Sequence, residues 1–108
     1  MQPRRGEIWW VALDPTLGSE IAKTRPCLIV TTDTLNQHRR TVVVIPLSSA
    51  PAAHPPLLIP ITCGERKAAA IVDQIRAVSK QRLRERIGRL TTEELLRVEE
   101  AVRRVLEV

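Results

Sequence analysis

Thr41 to Leu47 reads TVVVIPL, a nearly unbroken apolar run rich in β-branched side chains. A run that lacks in–out alternation suits a strand buried on both faces, so the rest of the chain has to cover it from two sides. That covering must be aliphatic, because 108 residues include two Trp and no Phe or Tyr. A chain of this length is expected to form one domain, residues 1–108, around a single modest core. Shorter β-rich runs flank the central one. Glu7–Leu13 reads as a first strand ended by Asp14-Pro15-Thr16, and Pro26–Thr32 as a second. Leu57–Thr62 and Lys67–Val72 form a pair about a turn at Cys63-Gly64-Glu65. Gln74–Val78 and Arg84–Leu90 follow. Asp33–His38 has room for one helical turn capped by Asp33 or Thr32, and Ser79–Leu83 for another. Ser48–Pro56 (SSAPAAHPP) is expected to be an irregular, mobile flap.

The sharpest local signal comes last. Thr91 and Glu94 have the spacing of a capping box, ahead of Leu95, Val98, Val102 and Val105 or Leu106 on one helical face. The sum is mainly β with a C-terminal helix (α+β). About six short strands in so few residues should curl into a small, strongly bent barrel, since closure removes sheet edges.

Charge and cysteines narrow the function. The net charge is +5, yet residues 91–108 hold three Arg and five Glu, so the body of the domain is more basic than the total suggests. Such a field attracts phosphate backbones, acidic peptides or anionic membranes without choosing among them. Cys27 and Cys63 have no C-x-x-C spacing, and no signal-peptide pattern precedes them. The expectation is a cytoplasmic protein with two packed thiols, and no run approaches a membrane span. His38 and His54 stand far apart with no carboxylate at helical spacing, so no metal site and no cofactor are expected. Cys27, inside a strand and without a neighbouring base, reads as a small buried hydrophobe rather than a nucleophile.

The connection from Asp14 to Arg25 is long for a hairpin loop, and long ordered loops are often functional. It and its exit offer Ser19, Glu20, Lys23, Thr24 and Arg25. Arg25 precedes a proline, which holds its backbone extended, and its planar guanidinium matches phosphate oxygens. On these residues alone a phosphate-binding loop and a solvated loop with Arg25 covering the barrel rim are both open.

The wording of that segment resembles a known family. Gly6 to Pro26, G-E-I-W-W-V-A-L-D-P-T-L-G-S-E-I-A-K-T-R-P, is similar to the opening of the MazF/PemK toxins, the ribonuclease halves of bacterial toxin–antitoxin pairs. The similarity continues through Cys27–Val30, through Val43–Ser49 (VVIPLSS) and through Asp73–Leu83 (DQIRAVSKQRL) to the closing helix. It implies a small SH3-like barrel of the MazF/PemK/CcdB type in a two-fold homodimer. It implies an mRNA interferase that arrests growth by sequence-specific, metal-independent cleavage of single-stranded RNA. The 2′-OH attacks the neighbouring phosphorus, leaving a 2′,3′-cyclic phosphate and a 5′-OH.

Carried over by position, the resemblance makes Arg25 and Ser48 catalytic. Arg25 would hold the phosphorane charge and Ser48 would donate to a phosphate oxygen, with Ser49 beside it. A guanidinium holds its proton too firmly to be a ready base, which leaves Glu20 as the carboxylate candidate. Ser19, Lys23, Thr24, Ser49, Gln74 and Arg76 match RNA-contacting positions, although Arg76 could equally pair with Glu7 or Asp73. Trp9 and Trp10, adjacent on a strand, point to opposite faces, one of them into the core. Core or interface burial is expected of them before base stacking. Ser48 stands where the family has Thr, and Ser19 and Ile71 depart from members that use a His and an Arg there. An acidic MazE-like antitoxin tail should fill the same basic groove. The alternatives are a non-catalytic toxin of similar fold that binds DNA gyrase, and a module that binds RNA or peptide without catalysis.

Overall fold

The strand built on Thr41–Ser48 organises everything else. The computed structural model describes residues 2–13, 23–50 and 52–108. In chain order its elements are β1 (Glu7–Ala12), β2 (Thr24–Ile29), α1 (Asp33–His38), β3 (Thr41–Ser48), β4 (Leu58–Cys63), β5 (Arg66–Ile71), β6 (Arg76–Ser79), β7 (Leu83–Arg89) and α2 (Thr92–Leu106). The sheet order is β4-β5-β3-β2-β1-β7, all neighbours antiparallel, and β6 also pairs with β3.

One edge of β3 therefore serves two partners. Thr41–Val44 pair with β6, and Leu47–Ser48 pair with β5. Pro46, which has no N–H to donate, sits at the changeover, so the switch wastes no ladder donor there. This split bends the sheet into a curled half-barrel. The strand expected over Gln74–Val78 starts later, because the chain first turns through a 3-10 segment at Val72–Gln74, and Arg76–Ser79 then runs along β3.

Burial on both faces of β3 is confirmed, and it yields two aliphatic clusters instead of the single core expected. Ile45 and Leu47 join Ile8, Leu28, Ile59, Ile61, Ala68, Ala70 and Val72 on the concave side, where Val98 and Ala101 of α2 complete the packing. Val42 and Val44 face the other way, onto Trp9, Val11, Cys27, Ile29, Val78 and Leu83.

Element ends differ from the sequence reading in instructive ways. Strand β2 begins two residues early, because Thr24 and Arg25 already pair with Ala12 and Val11. It ends early too, where the Thr31 hydroxyl takes over by accepting from the Val43 N–H and donating to the Val43 carbonyl. Neither Thr32 nor Asp33 caps α1 with its side chain. The Asp33 carboxylate accepts instead from the Arg5 N–H at 2.7 Å, fastening the N-terminal segment. At the end of the Ser48–Pro56 segment the His54 N–H and carbonyl both bond to Leu58 and form a tight turn.

The capping box is present as expected. Glu94 N–H donates to Thr91 Oγ1 at 3.1 Å, and Thr91 N–H donates to Glu94 Oε1 at 3.0 Å. Glu94 Oε2 also accepts from the Thr62 N–H at 2.7 Å, tying the helix start to β4. Burial alone would raise this carboxyl's pKa. The hydrogen bonds from Thr91 and Thr62 outweigh it and hold the pKa below the ordinary 4.5. A depressed carboxyl stabilises the fold above its unfolded pKa and loses that contribution as pH falls through the folded value. Thr91→Ala should cost about 1 kcal/mol in urea unfolding, and Glu94→Gln about 2 kcal/mol at neutral pH. Glu94→Gln should also flatten the acid limb of the stability curve below pH 4.5; an unchanged acid limb would contradict this assignment.

Candidate active-site groove

Three strand ends meet where β1 stops, β2 starts and β3 stops. The β2–β3 register pairs Cys27 with Pro46, Leu28 with Ile45 and Ile29 with Val44. Carried two residues further, it sets Arg25 opposite Ser48. Two residues separated by most of β2, α1 and β3 in sequence thus line the same cavity. The Ser48 hydroxyl accepts from the Ala50 N–H at 3.2 Å, which steadies the oxygen and leaves its proton for another acceptor.

The β4–β5 hairpin closes the far wall. Gly64, at φ +64°, occupies the first of its two central positions, the sign pattern of a type II′ turn. The hairpin tip curls until it meets β7. A Cβ on Gly88 would stand 3.9 Å from the Gly64 amide nitrogen, and one on Gly64 would stand 3.8 Å from Ile87 Cγ2. The result is a groove of about 790 Å³ at the mouth of the curled sheet. Its apolar floor includes Trp10, Pro26, Leu47 and Ile87, and its polar rim includes Arg25, Ser48, Ser49, Glu65, Arg66 and Lys67.

The structure therefore brings Arg25, Ser48 and Ser49 together. Thr24 closes the β1–β2 ladder opposite Ala12, and the carbonyl of exposed Lys23 accepts from the Leu13 N–H, so both stand at the groove's approach rather than in its lining. Ser19 and Glu20 lie outside the described residues. Gln74 is exposed in the 3-10 turn, and Arg76 starts β6 opposite Val44; neither lines the groove. Burial pushes the Cys27 thiol up to about 12, against the opposing pull of the Arg76 and Arg25 guanidiniums. The Glu7 carboxylate is taken up by Arg86 at 2.7 Å, by Trp9 Nε1 at 3.1 Å and by the Arg4 N–H.

Trp10, Glu65, Arg66 and Lys67 were not singled out as groove residues from sequence. The turn at Cys63–Glu65 was legible, but the curl that swings it over β1 and β3 was not. Among the described residues no group of three His, Cys, Asp or Glu is placed to hold a metal ion, and no helix is long and apolar enough to cross a membrane.

Comparison with known proteins decides the family. Residues 4–106 match the model of the PemK-like, MazF-like toxins of type II toxin–antitoxin systems. This chain belongs to that family. It is 37% identical over 97% of its length, and 97% of the relative's, to endoribonuclease MazF9 of Mycobacterium tuberculosis. It is 31% identical to endoribonuclease EndoA of Bacillus subtilis, over 92% of this chain and 90% of that one. In fold it is similar to the crystal structure of MazE–MazF (Form-II) from Deinococcus radiodurans, with a TM-score of 0.85 at 20% identity over 100% of this chain and 98% of the other. The MazF-like fold, a curled sheet with a closing helix, is what the sequence led us to expect.

Within this toxin fold the thiols are poor nucleophiles. A pKa near 12 leaves roughly one Cys27 in ten thousand as thiolate at pH 8, and burial raises the half-buried Cys63 above its ordinary 9.0. Iodoacetamide at pH 8 should leave Cys27 unmodified in the native protein and should modify Cys63 more slowly than a free thiol. In urea both should react fully, as read by intact mass. Rapid native labelling of Cys27 would show that the β2–β3 core opens far more readily than its burial implies.

Proposed function

We propose that this chain is a toxin endoribonuclease that cleaves single-stranded RNA at the groove, without a metal, by attack of the 2′-OH on the adjacent phosphorus. The observation that supports the reading is that Arg25 and Ser48 line one groove of about 790 Å³. The reaction needs donors on the non-bridging oxygens as charge builds there, a group to take the 2′ proton, and a proton for the leaving 5′-oxygen. Arg25 supplies a fixed, planar pair of N–H donors. Ser48, its lone pair already engaged by Ala50, turns its O–H to a phosphate oxygen. Glu20 takes the 2′ proton, and solvent water protonates the 5′-oxygen as the P–O5′ bond breaks. Ser19, Lys23, Thr24, Ser49, Gln74 and Arg76 bind the flanking RNA, with the recognised sequence set by these side chains.

Residues 1–108 act as a single toxin domain in a two-fold homodimer working in the cytoplasm, where two free thiols persist and RNA is at hand. The Deinococcus relative was solved as a MazE–MazF pair, and a Mycobacterial relative as an endoribonuclease with its cognate antitoxin. By the same logic an acidic antitoxin tail binds this chain's groove, offering carboxylates where RNA offers phosphates. Serine in place of threonine at position 48 keeps the hydroxyl and loses the methyl that restricts its rotamer.

The test is cleavage of a mixed-sequence RNA in excess EDTA, with 5′-OH ends sequenced. Arg25→Ala should lower the rate by roughly 10² to 10³, and Ser48→Ala by about 10². Ser48→Thr should retain activity. A 2′-deoxy nucleotide at the cut site should abolish cleavage there. Undiminished cutting by Arg25→Ala would place the active site elsewhere, and intact RNA with continued growth arrest would favour a gyrase-binding toxin.

A further inference from the structure

The chain has two tryptophans, and the fold treats them oppositely. Trp9 is 4% exposed, packed in the convex cluster, while Trp10 is 39% exposed in the groove. Trp10 is held rigidly, paired with Pro26 across β1–β2. On its other side the β1–β7 register shifts between Trp9 and Val11. Such bulges locally break pairing and re-aim side chains. Here the break lies beside the one residue whose large apolar ring is left facing a cavity. Arg66 and Lys67 of β5 line the same cavity, as do Arg25 and Ser48. A flat ring flanked by cations is the pattern that binds single-stranded nucleic acid, because every base offers a π-face and every phosphate a charge.

We propose that the mouth of the curled sheet is a base-binding subsite, in which an unpaired RNA base adjoining the scissile phosphate stacks on Trp10 while Arg66 and Lys67 hold the next phosphate. The assignment rests on the ribonuclease reading above and adds to it the contact that fixes the strand before attack. It replaces the expectation that stacking was the least favoured role for these tryptophans. Trp10 is a substrate-binding residue, and its loss acts on KM and on the register of the cut more than on the chemical step.

The experiment uses the full chain and an RNA carrying its mapped cut site, intact or with a single abasic nucleotide on one or the other side of the cut. Trp10→Ala should lose roughly tenfold in kcat/KM on intact RNA, mostly through KM. Trp10→Phe should recover part of that loss. The Trp10→Ala penalty should vanish on the one abasic RNA whose missing base is the stacked one. A non-cleavable 2′-deoxy analogue should quench the parent's tryptophan fluorescence, and Trp10→Phe, which keeps buried Trp9, should remove most of the quenching and also covers the case in which Trp10→Ala folds poorly. Equal penalties on intact and abasic RNA, or quenching by an acidic peptide but not by RNA, would overturn the subsite. A parent protein that cuts no RNA at all would instead defeat the ribonuclease reading, so the two failures are distinguishable.

Discussion

Burial of β3 on both faces is the constraint from which the rest follows. A strand of that kind needs one layer on each side and neighbours along both edges, and 108 residues are few for the task. The chain economises by letting one edge of β3 serve β6 and then β5, with the changeover at Pro46. Two partners that diverge from one edge force the sheet to curl, and the curl creates an inside. Helix α2 fills that inside from one direction, with Val98 and Ala101 against Ile8, Leu28 and Ile45. No residue of α2 is among the described lining of the groove, where β1 stops, β2 starts and β3 stops.

Much of this fold was legible because its signals are local. The TVVVIPL run, the turn at Gly64, and the Thr91–Glu94 capping box each rest on a few adjacent residues and survive folding intact. What failed were statements about partners. The strand read at Gln74–Val78 is present as Arg76–Ser79, but its partner, the Thr41–Val44 stretch of β3, has no signature in the local pattern. Asp33 looks like a helix cap in sequence, yet its oxygen is claimed by the Arg5 backbone 28 positions away. Glu94 was read as half of a capping box, while its second oxygen holds Thr62 on β4. Polar side chains have spare hydrogen-bonding capacity, and distant backbone donors use it.

The site divides the same way. Composition and spacing reached only a cationic, hydroxyl-bearing segment that ends at Arg25-Pro26, and Ser48 was attached to it by family resemblance. The physical reason for their pairing is the antiparallel register, which a one-residue slip would destroy by turning the two to opposite faces. Alternation told us that Trp9 and Trp10 diverge, but that Trp9 joins the Val42–Val44 cluster and Trp10 lines the groove is set by the strands packed around β1. Glu65, Arg66 and Lys67 belong to the groove because a hairpin curls over to Gly88, a contact with no signature in the hairpin's own residues.

Charge is partitioned along with shape. The described salt bridges occupy Arg5 with Glu99 at 2.9 Å and Arg86 with the buried Glu7 at 2.7 Å, and none of these four residues lines the groove. Removing a buried carboxylate such as Glu7 would strand Trp9 Nε1 and the Arg4 N–H as well as Arg86, so these pairs are architectural. At the groove the balance is reversed: among the described lining residues Arg25, Arg66 and Lys67 face a single carboxylate, Glu65. A cavity with an excess of fixed positive charge and an apolar floor is under-satisfied when empty. A ligand that brings both anionic oxygens and flat apolar surface completes it, and a single strand of RNA brings both in every nucleotide.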